Sequence, residues 1–248
     1  MKLLSIGNSF SQDAQKWLHQ IAQSAGAEIH AVNLYIGGCP LVRHWNNFLS
    51  RESAYEMWIN GEFDRMISIN EALELEDWDV ITFQQASPDS GDYRTFQPYL
   101  NYLYREAKAI CPNARYYIHQ TWSYEVDCRL GAFDNYHRSR PIMDRLSAEA
   151  YRQASAETGL ELIPCGDLVR CIRKMPEFDY PAGGMSINRD GFHLTLDYGR
   201  YAAGVMWYAF LTGGDPHKVT FVPEVEGKAA DEKLLKKLNE AVYAVLHL

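Results

Sequence analysis

The sequence is short of the features that would tie it to nucleic acid, a membrane or a disulfide framework. Lysine and arginine number 24 against 32 aspartates and glutamates, for a formal net charge of -8. The basic footprint of a nucleic-acid binder is therefore missing. No apolar run is long enough to span a bilayer. The five cysteines (Cys39, Cys111, Cys128, Cys165 and Cys171) are odd in number and form no Cys-x-x-Cys pair. That argues against both a disulfide scaffold and a zinc site, and free thiols are expected. Internal repeats and low-complexity linkers are also lacking. Met1-Lys2 runs straight into a strand-like segment with no leader pattern. The sequence as given is expected in the cytoplasm, unless a leader has been removed from it.

What is present is an ordinary globular composition: 248 residues, 47% hydrophobic and 23% charged. That is enough chain to bury a large core, and a single domain over 1–248 is expected. Strand-like runs at 2–6, 29–36, 79–83, 115–120 and 160–164 alternate with helix-like runs at 13–25, 96–110 and 141–158. After residue 193, Tyr201, Ala202, Val205, Met206, Ala209 and Phe210 trace one helix face, and Leu234, Leu235, Leu238, Val242 and Val245 another. The alternation predicts an α/β fold: a three-layer α/β/α sandwich on a five-stranded parallel, flavodoxin-like sheet. Residues 40–78 and 121–140 read as insertions hanging over the carboxyl edge of the strands, where ligands of open α/β sheets bind.

Four short motifs follow separate segments in chain order. Gly7-Asn8-Ser9 ends the first strand and places a hydroxyl at its carboxyl end. Gly37-Gly38 ends the second, where a backbone N–H can approach a ligand oxygen unobstructed. Gln84-Gln85-Ala86-Ser87 ends the third, and a carboxamide there can donate to an oxyanion. Asp190-Gly191-Phe192-His193 lies near the C-terminus, spaced so that the carboxylate can bond the ring Nδ1–H. Taken singly each has a plainer reading: a helix cap, a turn, a polar strand end, an Asx-turn. Their order raises them together, since a doubly wound sheet converges all four on one edge.

This arrangement resembles the SGNH, or GDSL-like, esterase and lipase superfamily. Its first block, Gly-Asp-Ser-Leu, corresponds to Gly7-Asn8-Ser9-Phe10, its second-block glycine to Gly38 (Gly37 as the alternative), and its Asp-x-x-His to Asp190 and His193. The stretches 6–13 and 33–39 resemble the DUF4886-type branch. The third block departs from the superfamily's Gly-x-Asn-Asp, so Gln85, with Gln84 as the alternative, is expected to replace its asparagine as oxyanion donor.

The resemblance implies a serine esterase with Ser9 as nucleophile, His193 as general base and Asp190 as its orienting acid. The oxyanion would be held by the N–H groups of Ser9 and Gly38 and the side chain of Gln85. Neither metal nor organic cofactor is required, and a small-molecule or glycan ester is the expected partner. Trp45, Trp122, Tyr124 and Tyr136 stand in the two insertions, and Trp122, Tyr124 and Tyr136 are candidate sugar-binding residues alongside Gln84. Short acyl groups, acetyl above all, are expected. The rival reading is a non-catalytic carbohydrate-binding or scaffold protein on the same fold. Cys39 is read as a packing residue, and His119 as a satisfied strand-end histidine. The sequence does not specify an oligomeric state.

Overall fold

The computed structural model describes residues 1–246. The run Leu3-Leu4-Ser5-Ile6 forms the middle of strand β1 (Lys2–Gly7), at the centre of a seven-stranded sheet. Successive side chains of a strand point to opposite faces, and Leu3 and Leu4 accordingly enter two different cores. β2 (His30–Tyr35), β5 (Val80–Phe83), β6 (Arg115–His119) and β7 (Glu161–Ile163) all run parallel to β1. Their order, β2-β1-β5-β6-β7, is the expected doubly wound one. Every residue of β5 is buried, as a strand covered on both faces requires.

The sheet exceeds the expected five strands. β3 (Tyr55–Ile59) and β4 (Glu62–Ile67) form an antiparallel hairpin added beside β2. Its turn is Asn60-Gly61, both with positive φ (51° and 86°), the geometry that suits a two-residue hairpin loop. Residues 55–67 of the first insertion therefore extend the sheet sideways. Charges at Glu56, Glu62, Asp64 and Arg65 had hidden a strand pattern that the Asn-Gly pair should have exposed.

One face of the sheet carries α1 (Ser9–Gln15), α2 (Leu18–Ser24), α7 (Cys165–Ile172), α8 (Tyr198–Thr212) and α9 (Glu232–Leu246), which enclose the core of Leu3, Ala31, Val80 and Ile163. The other face carries α3 (Leu41–Ser50), α4 (Ile69–Leu75), α5 (Tyr99–Ile110) and α6 (Arg140–Thr158) over Leu4, Ile6, Val32, Ile81, Phe83 and Ile118. A small hairpin, β8 (Glu224–Val225) with β9 (Lys228–Ala229), precedes α9. The single helix expected over 13–25 is two, broken at Trp17, whose φ and ψ of -110° and 3° leave the helical region while its indole donates to Leu196 O at 2.9 Å. All five cysteines are free. No helix among the described residues is long and apolar enough to cross a membrane.

Candidate active site

Because the central strands are parallel, the loops after β1, β2 and β5 leave the same edge of the sheet. After β1 the chain turns at once into α1. Asn8 caps that helix, its Oδ1 accepting from Phe10 N at 3.0 Å, while Ser11 Oγ accepts from Asn8 N at 3.1 Å. This reciprocal pair fixes the start of the helix. It leaves Ser9 as the first helical residue, with a backbone N–H that has no intrahelical acceptor. Gly7 is required here by close approach: a Cβ would lie 2.1 Å from Ser11 Oγ.

Asn8 does more than cap. Its Nδ2 donates to Cys39 O at 3.2 Å in the loop after β2, and its Oδ1 also accepts from Gln84 Nε2 in the loop after β5. Three strand ends are thus tied through one buried carboxamide. An aspartate, which has no N–H to give, could not make the bond to Cys39 O. His119 completes the chain from below, its Nδ1 2.7 Å from Gln84 Oε1. It is fully buried and does not line the cleft, and burial lowers its pKa to about 3. Cys39 is also buried, and desolvation pushes its thiol up to about 12, so it holds no thiolate near neutrality.

Above Asn8 opens a cleft of about 260 Å³, floored by Asn8, Ser9 and Phe10 and walled by Tyr35, Gly37, Gly38, Ser87, Pro88, Leu130, Phe192 and His193. Gly38 is exposed at its rim with φ of 61°. Asp190 Oδ2 lies 2.7 Å from His193 Nδ1, and Asp190 Oδ1 accepts from the backbone N–H groups of Phe192 and His193 at 3.1 and 2.8 Å. Partial burial raises the Asp190 pKa, but the bonds from the His193 ring and the two backbone amides outweigh it and hold the carboxyl below its usual value. With Nδ1 engaged by the carboxylate, Nε2 is the ring nitrogen left for chemistry. Ser9 and His193 share the cleft, but no hydrogen bond links the Ser9 hydroxyl to the ring in this structure. Such contacts commonly tighten only around substrate.

The loop that carries His193 is clamped from both sides, which the sequence reading missed. From α1, the fully buried Asp13 accepts from Leu194 N at 2.8 Å, from Arg189 Nη1 at 3.0 Å and from Arg200 Nε at 2.8 Å. The helix that begins with Ser9 thereby holds the residue after His193. On the other side Arg173 donates to Asn188 Oδ1 at 2.7 Å and to Ser123 O at 3.0 Å, and Glu125 N donates to Gly191 O at 2.6 Å. Opposite charges spread over four segments carry no local spacing that a sequence search could recognise.

Several expected site residues lie elsewhere. Gln85 is fully buried, and its Nε2 donates to Thr95 O and Oγ1 at 2.9 and 3.0 Å, while its Oε1 accepts from Leu41 N and Ala86 N. With its amide hydrogens spent, it cannot be the oxyanion donor. Gln84, bonded to Asn8 and His119, lies beneath the cleft floor rather than in it. Trp122, Tyr124 and Tyr136 are core residues, not a sugar-stacking wall. Trp122 stacks on Phe10 at 4.4 Å between ring centroids and donates to Phe192 O at 2.8 Å. Tyr136 OH accepts from Gly91 N at 2.9 Å. Trp45 packs on Phe48 and Tyr102, away from the cleft lining. The irregular segments that carry these aromatic residues fold inward around polar anchors, which takes the rings expected to meet a sugar into the core. Among the described residues, no group of three or more His, Cys, Asp or Glu side chains is gathered where a metal could be held.

The comparisons with known proteins agree with this fold. No curated protein matches the sequence. A solved DUF4886 family protein from Bacteroides uniformis is 31% identical, with 99% of this chain and 94% of that one covered at a TM-score of 0.90. A candidate SGNH hydrolase from Slackia heliotrinireducens is 23% identical over 85% of this chain and 98% of its own, at a TM-score of 0.57. An acetyl xylan esterase, AlAXEase, is 13% identical over 84% of this chain and 99% of its own, at a TM-score of 0.58. These last two share the fold. Residues 2–239 match the family model described as a domain of unknown function, DUF4886. The Ser9 turn after β1 and the loop of Asp190 and His193 before α8 thus stand on a fold shared with solved SGNH-type proteins, and the chain belongs to the DUF4886 family.

Proposed function

We propose that this protein is a serine esterase that removes short acyl groups, acetyl first among them, from carbohydrate-borne esters. The observation that carries the reading is the shared cleft: Ser9, Gly38 and an Asp190-paired His193 open onto one space of about 260 Å³. His193 Nε2 takes the proton of Ser9 as its oxygen attacks the ester carbonyl. Asp190 holds the ring in the productive tautomer and balances the imidazolium charge. The N–H groups of Ser9 and Gly38 receive the developing oxyanion. His193 then protonates the leaving alcohol and activates the water that frees the acyl group.

The size of the cleft favours a small acyl group, and Leu130, Phe192 and Pro88 supply apolar wall around it. A sugar as the alcohol is favoured by the fold shared with an acetyl xylan esterase; the core placement of Trp122, Tyr124 and Tyr136 withdraws the aromatic argument for it.

The test is hydrolysis of aryl esters of increasing chain length. Acetate should turn over fastest, Ser9→Ala should fall to background with the fold intact by circular dichroism, and Asp190→Asn should lose about four orders of magnitude in kcat. A preference for long chains would refute the short-acyl assignment, and unchanged turnover in Ser9→Ala would refute the nucleophile. Labelling of Ser9 by a fluorophosphonate separates an enzyme from a binding scaffold, which would stay unlabelled.

A further inference from the structure

With both glutamines engaged elsewhere, the loop after β5 has no free carboxamide to join the N–H groups of Ser9 and Gly38 at a developing oxyanion. Ser87 and Pro88 are the residues of that loop that line the cleft, and proline has no N–H to offer. Ser87 Oγ lies 2.9 Å from Tyr124 OH, its one side-chain partner. The direction of that bond follows from burial. Tyr124 is fully buried, and Ser87 Oγ is the phenol's one partner. A phenol that accepted from Ser87 would leave its own hydrogen buried without an acceptor, which costs the full desolvation penalty of that group. A phenol that donates leaves only a lone pair unused. The Tyr124 hydrogen therefore points at Ser87 Oγ, and the Ser87 hydrogen is left without a protein acceptor, on a residue that faces the cleft. The backbone is held as well: Ser87 O accepts from Ser90 Oγ at 3.0 Å and from Tyr136 OH at 3.2 Å.

We infer that the hydroxyl of Ser87, oriented by the phenol of Tyr124, is the third donor to the oxyanion, in place of the carboxamide expected from Gln84 or Gln85. This rests on the serine-esterase reading of Ser9 and adds a catalytic residue to it, with Tyr124 as a positioning residue. No proton is transferred by Ser87; its O–H donates a hydrogen bond that strengthens as negative charge gathers on the former carbonyl oxygen.

The experiment compares wild type, Ser9→Ala, Ser87→Ala, Ser87→Cys and Tyr124→Phe on an aryl acetate, with thermal midpoints measured alongside. Ser87→Ala should lower kcat about 100-fold with KM within about twofold, the pattern of a donor that acts in the transition state. Ser87→Cys keeps the volume but offers a weak donor, and should lose at least about 10-fold in kcat; it decides the matter if the alanine variant fails to fold. Tyr124→Phe should lower kcat about fivefold at unchanged KM, since Ser87 keeps its hydroxyl but loses the group that aims it. Ser9-dependent turnover with full kcat in a folded Ser87→Ala or Ser87→Cys variant overturns the Ser87 assignment and leaves Ser9 standing. Turnover that does not depend on Ser9 overturns the esterase reading, and the role of Ser87 with it.

Discussion

Gln85 shows how far a residue's chemistry and its position can diverge. A carboxamide after a buried strand is a sound oxyanion donor by type, yet here all its capacity serves the loops around it, bonding Leu41 N, Ala86 N and Thr95. Gln85→Ala should therefore lower stability, by roughly 2–3 kcal/mol for the buried groups left unpaired. Below its melting transition the variant should keep kcat within a few-fold. Denaturant titration and steady-state kinetics on the same preparation check this, and a 100-fold loss of kcat at unchanged stability would return Gln85 to the site. Ser9, Asp190 and His193 could be singled out as candidates in the sequence because residue type, order and local spacing point the same way. Ser87 was within view, as the last residue of the third motif, but the role proposed for it depends on where Tyr124 places a hydrogen, and the two are far apart in sequence.

At the scale of elements, the decisive pairing is α1 with the segment 188–194. The same helix presents Ser9 at its first turn and Asp13 one turn later, so Ser9 and the His193 loop are referenced to one rigid piece. Asp13→Ala removes a buried carboxylate and strands Arg189 and Arg200, which keep partial solvent access. A loss of about 3 kcal/mol is expected, at the low end for a broken buried pair. Amide exchange at Leu194 should speed up, and turnover should fall although Asp13 does not line the cleft. Exchange at Leu194 unchanged in a folded Asp13→Ala variant would disprove the clamp. The element boundaries that were missed share a cause: local propensity was outweighed by tertiary contacts. The break at Trp17 follows an indole reaching Leu196 O, and the 55–67 hairpin exists because β2 offers it an edge.

For the whole molecule, two buried histidines contribute to acid sensitivity. His44 and His119 are fully enclosed, and desolvation lowers each from 6.5 to about 3. Between those values the unfolded chain binds the two protons and the folded one does not, so stability must fall as pH falls from 6.5 toward 3. From pH 6.5 to pH 5 the two together should cost on the order of 3 kcal/mol. Urea midpoints measured across that range check the sign, and a midpoint that does not fall on acidification excludes it. The sequence by itself determined the parallel five-stranded core, because apolar runs of strand length alternating with helical periodicity have few other ways to bury both faces of a sheet. It also determined the candidate chemistry at Ser9, Asp190 and His193, since those residues stand at strand ends or on one tight loop. Only the tertiary structure decided which carboxamides were already spent, which aromatics turned inward, and that two further strands of the sheet come from residues 55–67. The physical reason is the same in each case: a hydrogen bond or a packed ring is settled by partners distant in the chain, and nothing in the local sequence of either partner records them.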